Sequence, residues 1–230
     1  MKFFNLNIKL KKFFKKKHDI YKLINHEDLI FDVGAHLGEK SKFFIEKKIK
    51  TILIEPLPNC VKYLRKKYSK NKNIKIIQKG LGEKNSEKIL MVNKSMPTIS
   101  TIAKHWKKGR FSKLTWDHQI KIKITTLDNL IKEFGSPKYI KIDVEGYELN
   151  VLKGLSKKSG IISFELTSEF IINAEKCIYY LKKIGYSEFT FSVGEQRKFF
   201  CDWLNSNQTI NLIRKEIKKD KYFWGDVYCK

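Results

Sequence analysis

A chain of 230 residues with 42% hydrophobic and 13% aromatic content can build one sizeable α/β domain with elaborations, and is short of two full domains. Its formal net charge of +24 rests on lysine, with arginine only at Arg65, Arg110, Arg197 and Arg214, so the planar fork used to grip phosphate and guanine is scarce. Cys60, Cys177, Cys201 and Cys229 show neither zinc spacing nor a disulfide framework, which suits a reducing cytosol, and no apolar run reaches the ~18–20 residues of a membrane-spanning helix.

The first segment, MKFFNLNIKLKKFFKKK, interleaves Phe3, Leu6, Leu10, Phe13 and Phe14 with lysines, which places an apolar stripe on one helical face and a basic face opposite. It lacks the uninterrupted apolar core of a secretion signal. It reads either as a leading helix docked on the domain or as a helix lying on an anionic membrane surface. Residues 1–28 are therefore set apart from a domain at 29–230.

LIFDVGAHLG, Leu29 to Gly38, begins as a continuous apolar run, the pattern of a parallel strand covered on both faces, and breaks at a loop with two glycines. Without a Cβ, that backbone can turn sharply and approach a ligand. Glu39 to Lys48 reads as a helix, and TILIEP is a second buried strand ending in the carboxylate of Glu55. Strand, glycine loop, helix, strand and acid form the layout that binds an adenosine-type cofactor, with the acid accepting hydrogen bonds from the ribose hydroxyls. A helix through Val61, Leu64 and Tyr68 follows, then a strand from Ile74 to Gly80. The bend at Gly80-Leu81-Gly82 is a candidate for adenine contact, through backbone at Gly80 and Leu81.

KILMVN alternates like an added strand, and Lys94 to Gln119 is irregular, with Trp106, Phe111 and Trp116 among His105, Arg110 and His118. Long irregular segments are often binding loops, and aromatics beside hydroxyls suit a sugar; the same aromatics would equally anchor the loop to the core. Ile122 to Ile131 is a strand and then a helix, with Thr126 or Asp128 as its cap. In YIKIDVEGYELNVLKG a buried strand ends at Asp143, Gly146 turns the chain, and Tyr147 to Lys153 is a helix closed by Gly154. Asp143 and Glu145 project from the carboxyl end of that strand, where open α/β sheets bind ligands. GIISFEL is a further central strand carrying Glu165. A helix from Ile171 to Ile184, a strand at Glu188–Val193, a helix at Thr209–Lys219 and a terminal strand complete the chain.

These residues resemble the FkbM-type S-adenosylmethionine-dependent methyltransferases. DVGAHLG is similar to the family's DVGAN-x-G loop, with His36 where Asn is usual. IEPLP is similar to its acidic-Pro-x-Pro signature, and TLDNLI and KIDVEGYELNVLKG to its later blocks, over roughly 29 to 166. The resemblance implies a Rossmann-like class I fold, a mostly parallel seven-stranded sheet with an antiparallel last strand and helices on both faces. It implies S-adenosylmethionine as methyl donor and a hydroxyl as acceptor, often on a sugar or small molecule. Asp32, Gly34, Ala35 and Gly38 would lie around the methionine end, Glu55 at the ribose, and Gly80 and Leu81 at the adenine.

A hydroxyl acceptor must lose its proton, and Asp143 is the first candidate to take it, then Glu145, with Glu165, His105 and His118 behind them. Asp143 with Glu145 could instead hold a divalent cation, but no residue is assigned to a metal. Two rivals remain. An RNA or DNA methyltransferase is disfavoured by the lack of an Asp-Pro-Pro-Tyr type motif and by the helical setting of Cys60. A non-catalytic basic module on the same fold is disfavoured by the intact loop and Glu55.

Overall fold

In the computed structural model, which describes residues 19–108, 111–196 and 198–230, the strands and helices follow one another along the chain. They are β1 (Leu29–Val33), α1 (Lys42–Glu46), β2 (Lys50–Ile54), α2 (Pro58–Lys67), β3 (Ile74–Ile77), β4 (Gly80–Leu81), β5 (Ser86–Val92), β6 (His118–Thr125), α3 (Leu127–Phe134), β7 (Tyr139–Ile142), α4 (Glu148–Leu152), β8 (Ile161–Thr167), α5 (Ile171–Lys183), β9 (Phe189–Phe191), α6 (Ser206–Ile217) and β10 (Trp224–Cys229). A seven-stranded sheet has the order β3-β2-β1-β7-β8-β10-β9. Its first five strands pair in parallel, and β10 inserts between β8 and β9, antiparallel to both. This is the architecture the resemblance implies.

The continuous apolar runs are explained by helices on both faces. Phe31, Val33, Ile52, Ile54, Ile140 and Ile142 point one way, into a core closed by Leu130 of α3, Val151 of α4, Ile178 of α5 and Ile213 of α6. Ile30 points the other way onto Phe44, and Leu53 onto Ile45 and Leu64 of α1 and α2. Alternation along a strand therefore shows as two apolar faces rather than as apolar and polar.

Several boundaries differ from expectation. The helix expected over 39–48 is one short turn, because Ser41 donates its hydroxyl to Asp32 (2.6 Å) instead of capping, and Lys48 turns into the left-handed region. The third strand stops at Ile77. Gly80-Leu81 leaves the main sheet and pairs with β6 in a separate sheet of order β4-β6-β5. Thr126, not Asp128, caps α3, accepting from Asn129 N, while Asp128 accepts from Ser156 N. The last helix starts at Ser206 because Asn205 and Gln208 form a reciprocal capping box. Gly154 is glycine because of a close approach rather than as a left-handed helix end: a Cβ there would lie 2.3 Å from the Gly82 carbonyl oxygen.

The amphipathic stretch at 1–17 lies outside the described residues. Just after it, Asp19 caps a turn at Ile20–Leu23, and Ile20 and Ile24 pack with Phe44, Tyr139 and Tyr228. Among the described residues no helix is long and apolar enough to cross a membrane.

Candidate active site

β1 pairs with β2 on one side and with the much later β7 on the other. The connections leaving them diverge, which opens a crevice beyond their carboxyl ends. A cleft lies there. Gly34, His36, Glu55, Gly80, Leu81, Asp143 and Glu145 all line it.

The glycine loop is built into this edge by its backbone. The amides of Gly34 and Ala35 both donate to the Ile54 carbonyl (2.9 and 3.1 Å), and the Asp143 amide donates to Val33 O (2.9 Å). At φ +83, Gly34 adopts a left-handed conformation, and a Cβ on it would sit 1.8 Å from the Asp143 carbonyl oxygen. Both the backbone conformation and the space exclude a side chain. Gly34→Ala is expected to cost about 3–5 kcal/mol, since the clash is with backbone that β1 and β7 hold in place. Urea denaturation would measure it, and a loss below 1 kcal/mol would contradict this packing. His36 follows at φ 46, a region that Asn, Asp and His tolerate better than other side chains. A histidine where the resembled family has asparagine therefore keeps the loop's backbone role.

Glu55 is 4% exposed. Its two carboxylate oxygens accept from the amides of His36 and Leu57, each at 2.8 Å. Burial pushes its pKa up to about 7, against the downward pull of those two amides. Gly80 and Leu81 form the opposite wall, reached through the second sheet. Pro97, Thr98, Ser100 and Ile102 extend that wall. The irregular segment therefore does border the cleft, but not through its aromatics. Trp106 is buried against Phe170 and Phe111, and Trp116 reaches back to Ile99 O. His105 is exposed and packs edge-on to Phe170, and His118 starts the exposed end of β6.

Three expected cofactor residues lie outside the cleft walls. Asp32 is buried behind the loop, accepting from Ser41 and 3.8 Å from the Lys141 ammonium. Ala35 packs with Ile45, Leu53 and Leu64, and Gly38 faces Leu64 and Tyr68. All three shape the loop from beneath.

Asp143 and Glu145 stand together at the mouth of β7. The Asp143 carboxylate accepts from Lys141 Nζ at 2.9 Å. Burial works to raise its pKa, but the Lys141 charge and hydrogen bond prevail and hold it below the usual carboxylate range. Burial, with Asp143 and Glu148 nearby, instead pushes Glu145 well up. Glu148, buried and accepting from the Gly146 amide (2.9 Å), is raised to about 7, first by burial. Neighbouring acids held on opposite sides of their ordinary values suit proton transfer. Lys141 and Glu148 were not singled out from the sequence. The available signal was a lysine inside the buried run YIKID. Cys60 is buried on α2, and burial followed by the Glu55 charge raises its thiol to about 11, so it is no nucleophile at neutral pH.

Comparison with known proteins agrees with the motifs. The description of the methyltransferase FkbM domain matches residues 32–205, beyond the stretch over which the motifs were evident. No curated protein matches the chain significantly by sequence. Among solved structures, precorrin-6y C5,15-methyltransferase from Geobacter metallireducens is similar at TM-score 0.47 and 12% identity, covering 92% of this chain and 84% of that one. A SAM-dependent methyltransferase from Archaeoglobus fulgidus gives 0.44 and 12%, covering 91% and 88%. The ribosomal protein L11 methylase of Lactobacillus delbrueckii gives 0.45 and 8%, covering 90% and 73%. At TM-scores below 0.5 such likeness decides nothing about activity. The family match spans most of the chain, and the chain belongs to the FkbM methyltransferases, enzymes whose methyl donor is S-adenosylmethionine.

Proposed function

We propose that the protein methylates a hydroxyl oxygen of a small molecule, a sugar or glycan foremost, with the cofactor in the cleft between β1, β2 and β7. The residues present suit that cofactor. Gly34, having no Cβ, lets the loop backbone close against the Asp143 backbone, so that His36, Glu55 and Asp143 line one cleft with Gly80 and Leu81. Glu55 would hold the ribose hydroxyls on its remaining lone pairs, the Gly34 loop the methionine end, and Gly80 with Leu81 the adenine. When bound, S-adenosylmethionine supplies an electrophilic methyl group on a sulfonium.

The observation that carries the reading is Asp143, an acid on the cleft wall kept ionised by a buried ammonium. An alcohol is almost wholly protonated at neutral pH, and its proton has to leave as the oxygen attacks. Asp143 accepts that proton within hydrogen-bond reach, and Lys141 fixes the carboxylate for the task. Positioning supplies much of the remaining acceleration. Thr98 and Ser100 on the facing wall offer hydroxyls of the kind that bind polyols.

The test is transfer of isotope-labelled methyl groups to a panel of sugars and hydroxylated small molecules. Once an acceptor is found, Asp143→Asn should lower kcat by about 10²–10⁴-fold while leaving S-adenosylhomocysteine affinity unchanged. Full turnover in that variant would remove Asp143 from the mechanism.

A further inference from the structure

In a chain of net charge +24, three acids converge on one point: one carboxylate oxygen each of Asp143, Glu145 and Glu165 lies within 4.8 Å of the other two. They reach it from different elements. Asp143 follows β7, Glu145 sits in a left-handed turn at φ 55, and Glu165 projects from the adjacent β8. The turn is pinned, since the Glu145 carbonyl accepts the Thr101 hydroxyl at 2.6 Å. Lys141 Nζ donates to Asp143 Oδ2 at 2.9 Å, which fixes that carboxylate beside the other two acids.

A second observation lies beside the acids. The Glu165 Oε2 and Thr167 Oγ1 atoms are buried and have no hydrogen-bond partner. Thr167 is 6% exposed and two residues on from Glu165, hence on the same face of β8, and both line one small cavity. Buried oxygens are nearly always satisfied, and a pair left over next to converging acids calls for a ligand.

We propose that Asp143, Glu145 and Glu165 bind a hard divalent cation, Mg²⁺ or Ca²⁺, with the Thr167 hydroxyl beside it. Three oxygens no more than 4.8 Å apart share a centre at most about 2.8 Å from each, and a contraction of a few tenths of an ångström reaches the 2.3–2.6 Å of calcium. The donors are all oxygen, with neither imidazole nor thiolate, which favours these ions over zinc. Asp143 and Glu145 also line the cofactor cleft, which places the cation where it would draw an acceptor hydroxyl toward ionisation. That role rests on the proposed methyl transfer; the binding site does not.

The full chain, stripped with EDTA, would be titrated with MgCl₂, CaCl₂ and MnCl₂ by calorimetry, and separately with S-adenosylhomocysteine. One-to-one binding of at least one ion is expected. Glu165→Gln should weaken it at least about 10-fold, and Thr167→Val by less, with S-adenosylhomocysteine affinity intact. Glu87→Gln, on the exposed edge of β5, should leave ion binding unchanged. Absence of one-to-one binding at millimolar ion, or equal binding in Glu165→Gln, overturns the site while leaving the methyltransferase reading in place. Ion binding in a folded protein that ignores S-adenosylhomocysteine would support the cation site and defeat the reading of the cleft.

Discussion

Alanine at Glu55 is expected to weaken S-adenosylhomocysteine binding by at least about 100-fold at pH 8. The carboxylate oxygens each hold one backbone amide, His36 or Leu57, and a carboxylate has about four acceptor sites in all. Two ribose hydroxyls can take the rest, and hydrogen bonds to a charged acceptor are worth about 1.5–3 kcal/mol each. Because burial raises this carboxyl to about 7, wild-type affinity should rise between pH 6 and pH 8, and the variant's should stay flat.

Stability responds with the opposite sign. The folded pKa of about 7 exceeds the ordinary 4.5, so the folded state binds the proton more tightly. That contribution is present in full below 4.5 and is lost as pH rises through 7. It amounts to roughly 3 kcal/mol. Glu55→Ala removes it but leaves two amides unpaired. The stability gap between the proteins should therefore narrow by about 3 kcal/mol from pH 4.5 to pH 8, read by urea denaturation. A gap that does not change would show that Glu55 is not a buried, elevated acid.

The parts of this site that were legible in the sequence are those set by neighbours along the chain. β1, β2 and β7 declared themselves as short apolar runs, and Glu55 is placed by being the first residue after β2. Asp143 is legible for the same reason. Pairing across the sheet is not written locally. Nothing beside Gly80-Leu81 says that these two residues leave the main sheet for β6, more than forty residues later. Glu165 stood out only as an acid in a strand, and its meeting with Asp143 and Glu145 depends on the β7–β8 register. The aromatics at 106–116 have a composition that fits a sugar platform, yet burial decides their role, and Trp106 is 2% exposed. Asp32 shows a different division, in which the motif names the residue and the sheet decides what its side chain meets. It belongs to the motif, but strand alternation turns its side chain to the face opposite Val33 and into contact with Ser41 and Lys141.

Lys141→Met is expected to cost about 3–5 kcal/mol of stability, among the largest effects of any single side chain here. Lys141 lies opposite Asp32 in the β1–β7 register, with its ammonium 2.9 Å from Asp143 Oδ2 and 3.8 Å from Asp32 Oδ1. Its side chain is 11% exposed and that of Asp32 only 1%. Burial alone would lower the lysine pKa, but Asp143, Asp32 and Asp226 together raise it, so the ammonium stays charged. Methionine keeps the stem and its packing but removes the charge, leaving Asp32 Oδ1, which has no hydrogen-bond partner, without a counter-ion.

Adding Asp32→Asn to Lys141→Met should therefore recover about 1–2 kcal/mol relative to the sum of the single losses, a coupling that urea denaturation of all four proteins would measure. Additive losses would show that the pair does not interact. The double variant also separates fold from chemistry. Its partly restored fold should bind S-adenosylhomocysteine, yet Asp143 would lack the ammonium that holds it ionised and in place. Methyl transfer should then stay low in a protein that is folded and loaded. Recovery of turnover along with stability would instead make Lys141 a structural residue only, with Asp143 able to act without it.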